Sequence, residues 1–240
     1  MDKIYIAMWS GPRSISTALM RSFENRLDTV VLDEPFYAYY LTYIKPDINH
    51  PGKKEILNIQ STNLNTVIKE IDSLKQQYGG VFIKNMTHHL RGADFSFAEE
   101  WYNIILTRDP QKAIISFSKV IPNPTMDDLG YKLQYDLANF FTSKKIKFKV
   151  VLSKNLLKNP KKVLSELCKY SKIKFDVRML SWKKGGIEED GVWAKYWYQN
   201  LHNSEGFSPW VNKPNEEINV NQSELLEQAT YYYHQLISLS

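Results

Sequence analysis

The chain has 240 residues and a mass of 28.1 kDa, enough for one large α/β domain or two small ones. It is 43% hydrophobic and 24% charged, which excludes a disordered, collagen-like or coiled-coil chain. No apolar run approaches the roughly 20 residues of a membrane-spanning helix.

The start, Met1 to Met8, has too short an apolar stretch for a secretory signal and no small-residue cleavage site, so the expected location is cytoplasmic. Ile4 to Trp9 is a β-prone run, and Ser10-Gly11-Pro12-Arg13 must turn. Ile15, Ala18, Leu19 and Phe23 then recur at helical spacing, which predicts a helix over 16–25. Thr29 to Leu32 reads as a second strand, ended by Asp33-Glu34-Pro35, and Pro46 to Gly52 as a polar loop.

Leu64, Val67, Ile68, Ile71 and Leu74 mark an amphipathic helix stopped by Gly79-Gly80. Strands follow at Val81 to Ile83, Tyr102 to Thr107 and Lys147 to Ser153, with helices at Pro110 to Lys119 and Asp127 to Ser143 between the last two. Pro160 to Tyr170 opens with proline in a first turn, and Ser223 to Ser238 reads as a closing helix. Short apolar strands alternating with helices predict a three-layer α/β fold: a mostly parallel sheet of about five strands with helices on both faces. No repeat or linker divides the chain, so a single domain over 1–240 is expected.

Ligands of such folds bind at the carboxyl ends of the strands. There Arg13, Ser14, Ser16 and Thr17 collect at a strand-to-helix turn, where the first peptide N–H groups of a helix carry partial positive charge. This is an anion site by construction, suited to phosphate or sulfate oxygens. It is not a G-x-x-x-x-G-K-[ST] loop, because Ser16 stands where the second glycine belongs and no lysine follows. A nucleoside-triphosphate phosphotransferase on a P-loop is therefore the second reading. A nucleic-acid binder ranks last, since no basic cluster exceeds a pair such as Lys144-Lys145, Lys161-Lys162 or Lys183-Lys184. At the end of a later strand stands Arg108, with Pro110 opening a helix and Ser116 two turns into it. An arginine and a serine so placed can grip one phosphate from two sides.

These two elements resemble the cofactor site of PAPS-dependent sulfotransferases. Arg13, Ser14, Ser16 and Thr17 match the family's 5′-phosphosulfate loop, with Ile15 in place of its usual glycine. Arg108, Pro110 and Ser116 match its 3′-phosphate element, and Lys183-Lys184-Gly185 resembles its Arg-Lys-Gly motif. Asp33 to Tyr37 and Asp190 to Tyr198 are similar to segments of a compact bacterial small-molecule branch, so the cofactor elements would fall mainly in 8–37, 104–116 and 183–198.

The resemblance implies sulfonyl transfer from PAPS to a small polar acceptor, as in secondary-metabolite tailoring, with PAP released and no metal. Arg13, Ser14, Ile15, Ser16, Thr17, Arg108, Ser116, Lys184 and Gly185 would hold the cofactor, with Arg13 offsetting leaving-group charge. It also implies a histidine base after the third strand. His88 is the closest match and His89 the alternative, on an inserted loop, because Lys84 lies four residues before His88 where the family has two. Asp33 and Glu34 are candidates for binding a cationic acceptor group or assisting deprotonation, or form the turn ahead of Pro35. Trp193, Trp197, Tyr198 and Phe207 line an acceptor pocket, stack on adenine, or are core. Cys168 and His234 read as structural.

Overall fold

A computed structural model of the chain describes residues 4–48, 50–211 and 218–239. Met1 to Lys3, part of the N-terminal stretch, lie outside these residues. The strands are β1 (Ile4–Ser10), β2 (Thr29–Asp33), β3 (Gly80–Met86), β4 (Tyr102–Thr107) and β5 (Phe148–Leu152). They form one parallel sheet in the order β2-β3-β1-β4-β5. From β1 the chain runs to β2 at one edge, returns inward to β3 beside β1, and then crosses to β4 on the other side. The carboxyl ends of β3, β1 and β4 therefore meet at the switch point of the sheet, where a crevice opens.

Around the sheet run α1 (Ser16–Glu24), α2 (Tyr37–Tyr39), α3 (Lys53–Ile59), α4 (Leu64–Gln77), α5 (Pro110–Ser118), α6 (Met126–Leu129), α7 (Tyr131–Ser143), α8 (Ser153–Lys158), α9 (Pro160–Tyr170), α10 (Ala194–Trp197), α11 (Gln199–His202) and α12 (Ser223–Ser238). Local chemistry explains several starts. Asp109 and Asn159 each accept from a backbone N–H three residues on, with proline in the first turn. Thr125 and Asp128 form a reciprocal capping box.

Alternation along β1 sorts its side chains to the two faces. Tyr5, Ala7 and Trp9 join Val67 and Ile71 of α4, Leu137 and Phe141 of α7 and Leu236 of α12. Ile6 and Met8 join Leu19, Met20 and Phe23 of α1 and Leu164 and Leu167 of α9. The three-layer α/β expectation holds.

Three details differ from the sequence expectation. The helix expected over 127–143 breaks at Gly130, whose φ of 77° is left-handed, so α6 and α7 are separate. The third strand runs to Met86 rather than ending at Ile83, so Lys84 is a strand residue and no loop is inserted before the histidines. Thr87–Leu90 instead forms one 3-10 turn directly after β3. Finally, α3, α8 and a π-helical turn at Tyr40–Ile44 occupy stretches with no helical signal in the sequence.

Candidate active site

The loop after β1 is tightly folded. Arg13 and Ile15 hold left-handed φ values of 60° and 63°, and Ile15 precedes α1 without a side-chain cap. The first N–H groups of α1 are thus left for a ligand. Gly11 lets the loop pass the end of α6, since a Cβ there would lie 2.5 Å from the carbonyl oxygen of Leu129. Ser14 is buried, donating to the carbonyl of Gly11 at 2.6 Å, and its own carbonyl accepts from Ser153 at 2.7 Å.

Arg13 donates through Nε to the hydroxyl of Ser116 at 3.0 Å, and Arg108 donates through Nη1 to the carbonyl of Arg13 at 2.5 Å. Tyr131 donates to the carbonyl of Arg108 at 2.8 Å. Burial lowers the pKa of both guanidinium groups from the ordinary value, yet arginine keeps its charge. Ser116 thus stands against Arg13 as well as near Arg108, and its hydroxyl proton is not used in the contact with Arg13.

Across the crevice lies a buried polar cluster built by strand register. Asp33 of β2 pairs with Lys84 of β3, so the two side chains share one face at the sheet's carboxyl edge. Lys84 donates to Asp33 Oδ1 at 2.7 Å, Glu34 Oε1 at 2.5 Å and the Tyr198 hydroxyl at 2.6 Å, which exhausts its three donors. The Tyr198 hydroxyl also lies 2.8 Å from Asp33 Oδ2 and accepts from Trp193 Nε1 at 3.0 Å. Burial disfavours charge on Lys84, but Asp33 and Glu34 outweigh it and raise the lysine's pKa. Burial raises the Glu34 carboxyl to about 7, against the pull of Lys84.

The histidines follow at once. His89 is buried, with ring centroids 4.3 Å from Tyr37 and 4.6 Å from Tyr40, while His88 lies edge-on to Tyr40 at 5.2 Å. Burial pushes His88 down to about 4 and His89 well below its ordinary value, so both are neutral at pH 7. Nδ1 of each ring is buried without a hydrogen-bond partner among the described residues.

A cavity of about 820 Å³ joins the two ends. Arg13, Ile15, Ser16, Thr17 and Arg108 line it on the loop side, with Glu34, Lys84, His88 and His89 on the other. Among the aromatic candidates Trp197, Tyr198 and Phe207 reach it. Trp193 is buried behind Tyr198, and Asp33 lies inside the cluster. Lys184 and Gly185 are not brought to the cavity: Lys184 is exposed 3.6 Å from Glu205, and the N–H of Gly185 is committed to the carbonyl of His202 at 2.8 Å. Sequence reasoning missed Lys84, Tyr37, Tyr40 and His50 as lining residues. Lys84 carried a signal as a lysine within an apolar strand, and Tyr37 closed a segment already singled out by resemblance.

Among the described residues, no helix is long and apolar enough to cross a membrane, and no group of three or more His, Cys, Asp or Glu is placed to hold a metal ion.

Known proteins resemble this chain in sequence and in fold. Two Arabidopsis thaliana proteins, Branched-chain-amino-acid aminotransferase-like proteins 1 and 2, are 35% and 34% identical over 97% and 95% of this chain. The chain spans only 41% and 40% of their lengths. Among solved structures, the sulfotransferase domain of the Synechococcus PCC 7002 olefin synthase superposes with a TM-score of 0.57 at 16% identity, covering 96% of each chain. The sulfotransferase domain of the curacin biosynthetic pathway gives 0.56 at 16% identity, covering 98% of each. A sulfotransferase from Alicyclobacillus acidocaldarius gives 0.57 at 9% identity, covering 100% of this chain and 95% of that one. These likenesses are of fold. A family model described as a sulfotransferase domain matches residues 4–239, and the chain accordingly belongs to the sulfotransferase-domain family.

Proposed function

We propose that the chain is a cytoplasmic, single-domain sulfotransferase that moves a sulfonyl group from PAPS to a hydroxyl or amine of a small polar metabolite, as in secondary-metabolite tailoring, and releases PAP. The observation that supports it best is one cavity with two arginines and an uncapped helix start at one end and a carboxylate with two histidines at the other. The loop end suits phosphosulfate and phosphate oxygens: Arg13 and Arg108 supply fixed charge, and Ser16, Thr17 and the first N–H groups of α1 supply short donors.

Transfer of this kind asks the protein for positioning and charge stabilisation more than covalent chemistry. Arg13, held by Ser116, would offset charge on the leaving phosphate. His88 would accept the proton that the acceptor sheds, with His89 packed beside it. Ser14 would act through the loop, since its hydroxyl is spent on Gly11. Lys184 and Gly185 could join only if their segment moves toward the ligand.

Calorimetric titration with PAP tests the reading. Arg13→Ala and Arg108→Ala are each expected to weaken binding at least 100-fold, and unchanged binding in both overturns the assignment. Sulfonyl transfer should also survive a chelator, whereas the phosphotransferase alternative requires Mg²⁺.

A further inference from the structure

Glu34 stands out in three respects. It is 7% exposed and lines the cavity. Its φ of 46° is left-handed, a strained value for a residue with a Cβ. Of the described non-glycine residues with positive φ, Arg13, Ile15 and Glu34 line the cavity, while Lys145 and Lys172 lie elsewhere.

The two oxygens of its carboxylate are unlike. Oε1 accepts from Lys84 at 2.5 Å. Oε2 accepts no hydrogen bond from any described residue; its nearest polar neighbour is His89 Nε2 at 3.8 Å. His89 itself, 2% exposed, has no hydrogen bond through either ring nitrogen among the described residues. The groups facing Glu34 are Asp33 and Lys84 from the sheet edge, His89 from the turn after β3, Tyr37 from α2, and Tyr198 after α10. Lys84 is saturated, Tyr198 points its hydroxyl into the same cluster, and two carboxylates share one lysine. When Glu34 ionises, a negative charge is left over, with one oxygen open for a donor.

The surroundings select the donor. Tyr37, Tyr40, His50 and Trp197 give this end aromatic walls, and its other lining charges are Asp47, Asp128 and Lys45, the last 3.7 Å from Asp128. Three carboxylates thus face two lysines here, against two arginines at the loop end. Such a cavity is bipolar, matching an anionic donor to a cationic acceptor, and aromatic faces favour a cation further.

We infer that the acceptor is a primary amine, bound as its ammonium by Glu34 Oε2 and the rings of Tyr37 and Tyr40, and sulfated on nitrogen. The ammonium gives one proton to Glu34 Oε2, freeing the nitrogen lone pair. The nitrogen then bonds to sulfur as the S–O bond to the 5′-phosphate breaks, with its electron pair leaving on the phosphate oxygen. The N-sulfonated nitrogen, now strongly acidic, gives its second proton to His88. A weakly basic imidazole suffices for that step, whereas a hydroxyl acceptor would ask more of it. This transfer step rests on the PAPS reading; the ammonium site does not.

The test uses the full chain, saturated with PAP, titrated calorimetrically with 2-phenylethylammonium and with 2-phenylethanol at pH 7 in two buffers of different ionisation enthalpy. The ammonium should bind at least 10-fold more tightly than the alcohol. It should release protons, because burial raises the Glu34 carboxyl toward 7 and it ionises against the bound cation. Glu34→Gln should erase both the preference and the release while PAP affinity stays. Supplying PAPS should yield the sulfamate by mass and no sulfate ester of the alcohol. Equal binding of both probes, binding of neither, or a preference that survives in Glu34→Gln overturns the proposal. The release in the unaltered chain stands even if the variant folds poorly. If PAP does not bind, the donor reading fails, and an ammonium preference seen without PAP still upholds the site.

Discussion

Arg108 donates from Nη1 to the backbone carbonyl of Arg13 at 2.5 Å, so the side chain at the end of β4 fixes the loop that follows β1. The two cations of the anion end are therefore coupled through main chain as well as through any ligand they share. Arg108→Lys keeps the charge but loses the fork that serves the carbonyl and an oxyanion together. PAP affinity should fall about 10-fold in Arg108→Lys and about 100-fold or more in Arg108→Ala, by calorimetry. Equal losses in the two would mean that the retained charge contributes nothing and the fork carries the whole effect, whereas an undiminished affinity in Arg108→Lys would mean that the fork has no role.

Gly11 makes a second prediction. A methyl group at this position meets the carbonyl of Leu129 at 2.5 Å, which the loop can relieve only by shifting. Gly11→Ala should cost about 1–3 kcal/mol of stability, as overpacked positions do. Because the shift moves Arg13 and the start of α1, PAP affinity should fall in parallel. A chemical denaturation curve and a PAP titration on the same preparation check both.

Much of the loop end of the cavity was legible from sequence because its residues are contiguous: Arg13 to Thr17 run from the loop into the first turn of α1, and Arg108 directly follows an apolar strand. The opposite end was legible only in part. Asp33 and Glu34 announced themselves ahead of Pro35, but their partner Lys84 is fixed by a parallel register, and Tyr198 closes the cluster from 114 positions further along the chain. Neither pairing leaves a periodic trace. Tyr37 and Tyr40 were hidden as lining residues for a related reason: they sit on a short α-turn running into a π-turn, whose spacing matches no helical template. Lys183-Lys184-Gly185 read as a motif, yet hydrogen bonding to His202 holds it away from the cavity.

Lys84 is the keystone of that cluster. With Lys84→Met, Asp33 and Glu34 would remain buried side by side without a cation. Removing one partner of such a set typically costs about 3–5 kcal/mol. Adding Asp33→Asn to Lys84→Met takes away the stranded charge and should restore a large part of the loss. Urea denaturation of the single and double variants measures it; equal stabilities would show that Asp33 is not left charged when the lysine is gone.

The pH dependence of stability separates Glu34 from His88, because their shifts have opposite signs. Glu34 is raised from an ordinary 4.5 to about 7, so its contribution is full at low pH and is lost as pH rises through 7. His88 is lowered from 6.5 to about 4, so the folded state holds fewer protons than the unfolded chain between those values. Its contribution is full above 6.5 and is lost as pH falls toward 4. At pH 5 one histidine so shifted forfeits up to about 2 kcal/mol relative to pH 8, and about 1 kcal/mol when its partial opening to the cavity is allowed for. His88→Phe preserves an aromatic ring against Tyr40 and removes the titration. Between pH 8 and pH 5 it should lose about 1–2 kcal/mol less stability than the unaltered chain, while Glu34→Gln should shift the same difference in the opposite direction. Denaturation at the two pH values, read as variant minus unaltered chain, isolates each group. A His88→Phe difference that does not change with pH would mean that the imidazole is freely solvated, and would remove it as a neutral proton acceptor beside the substrate.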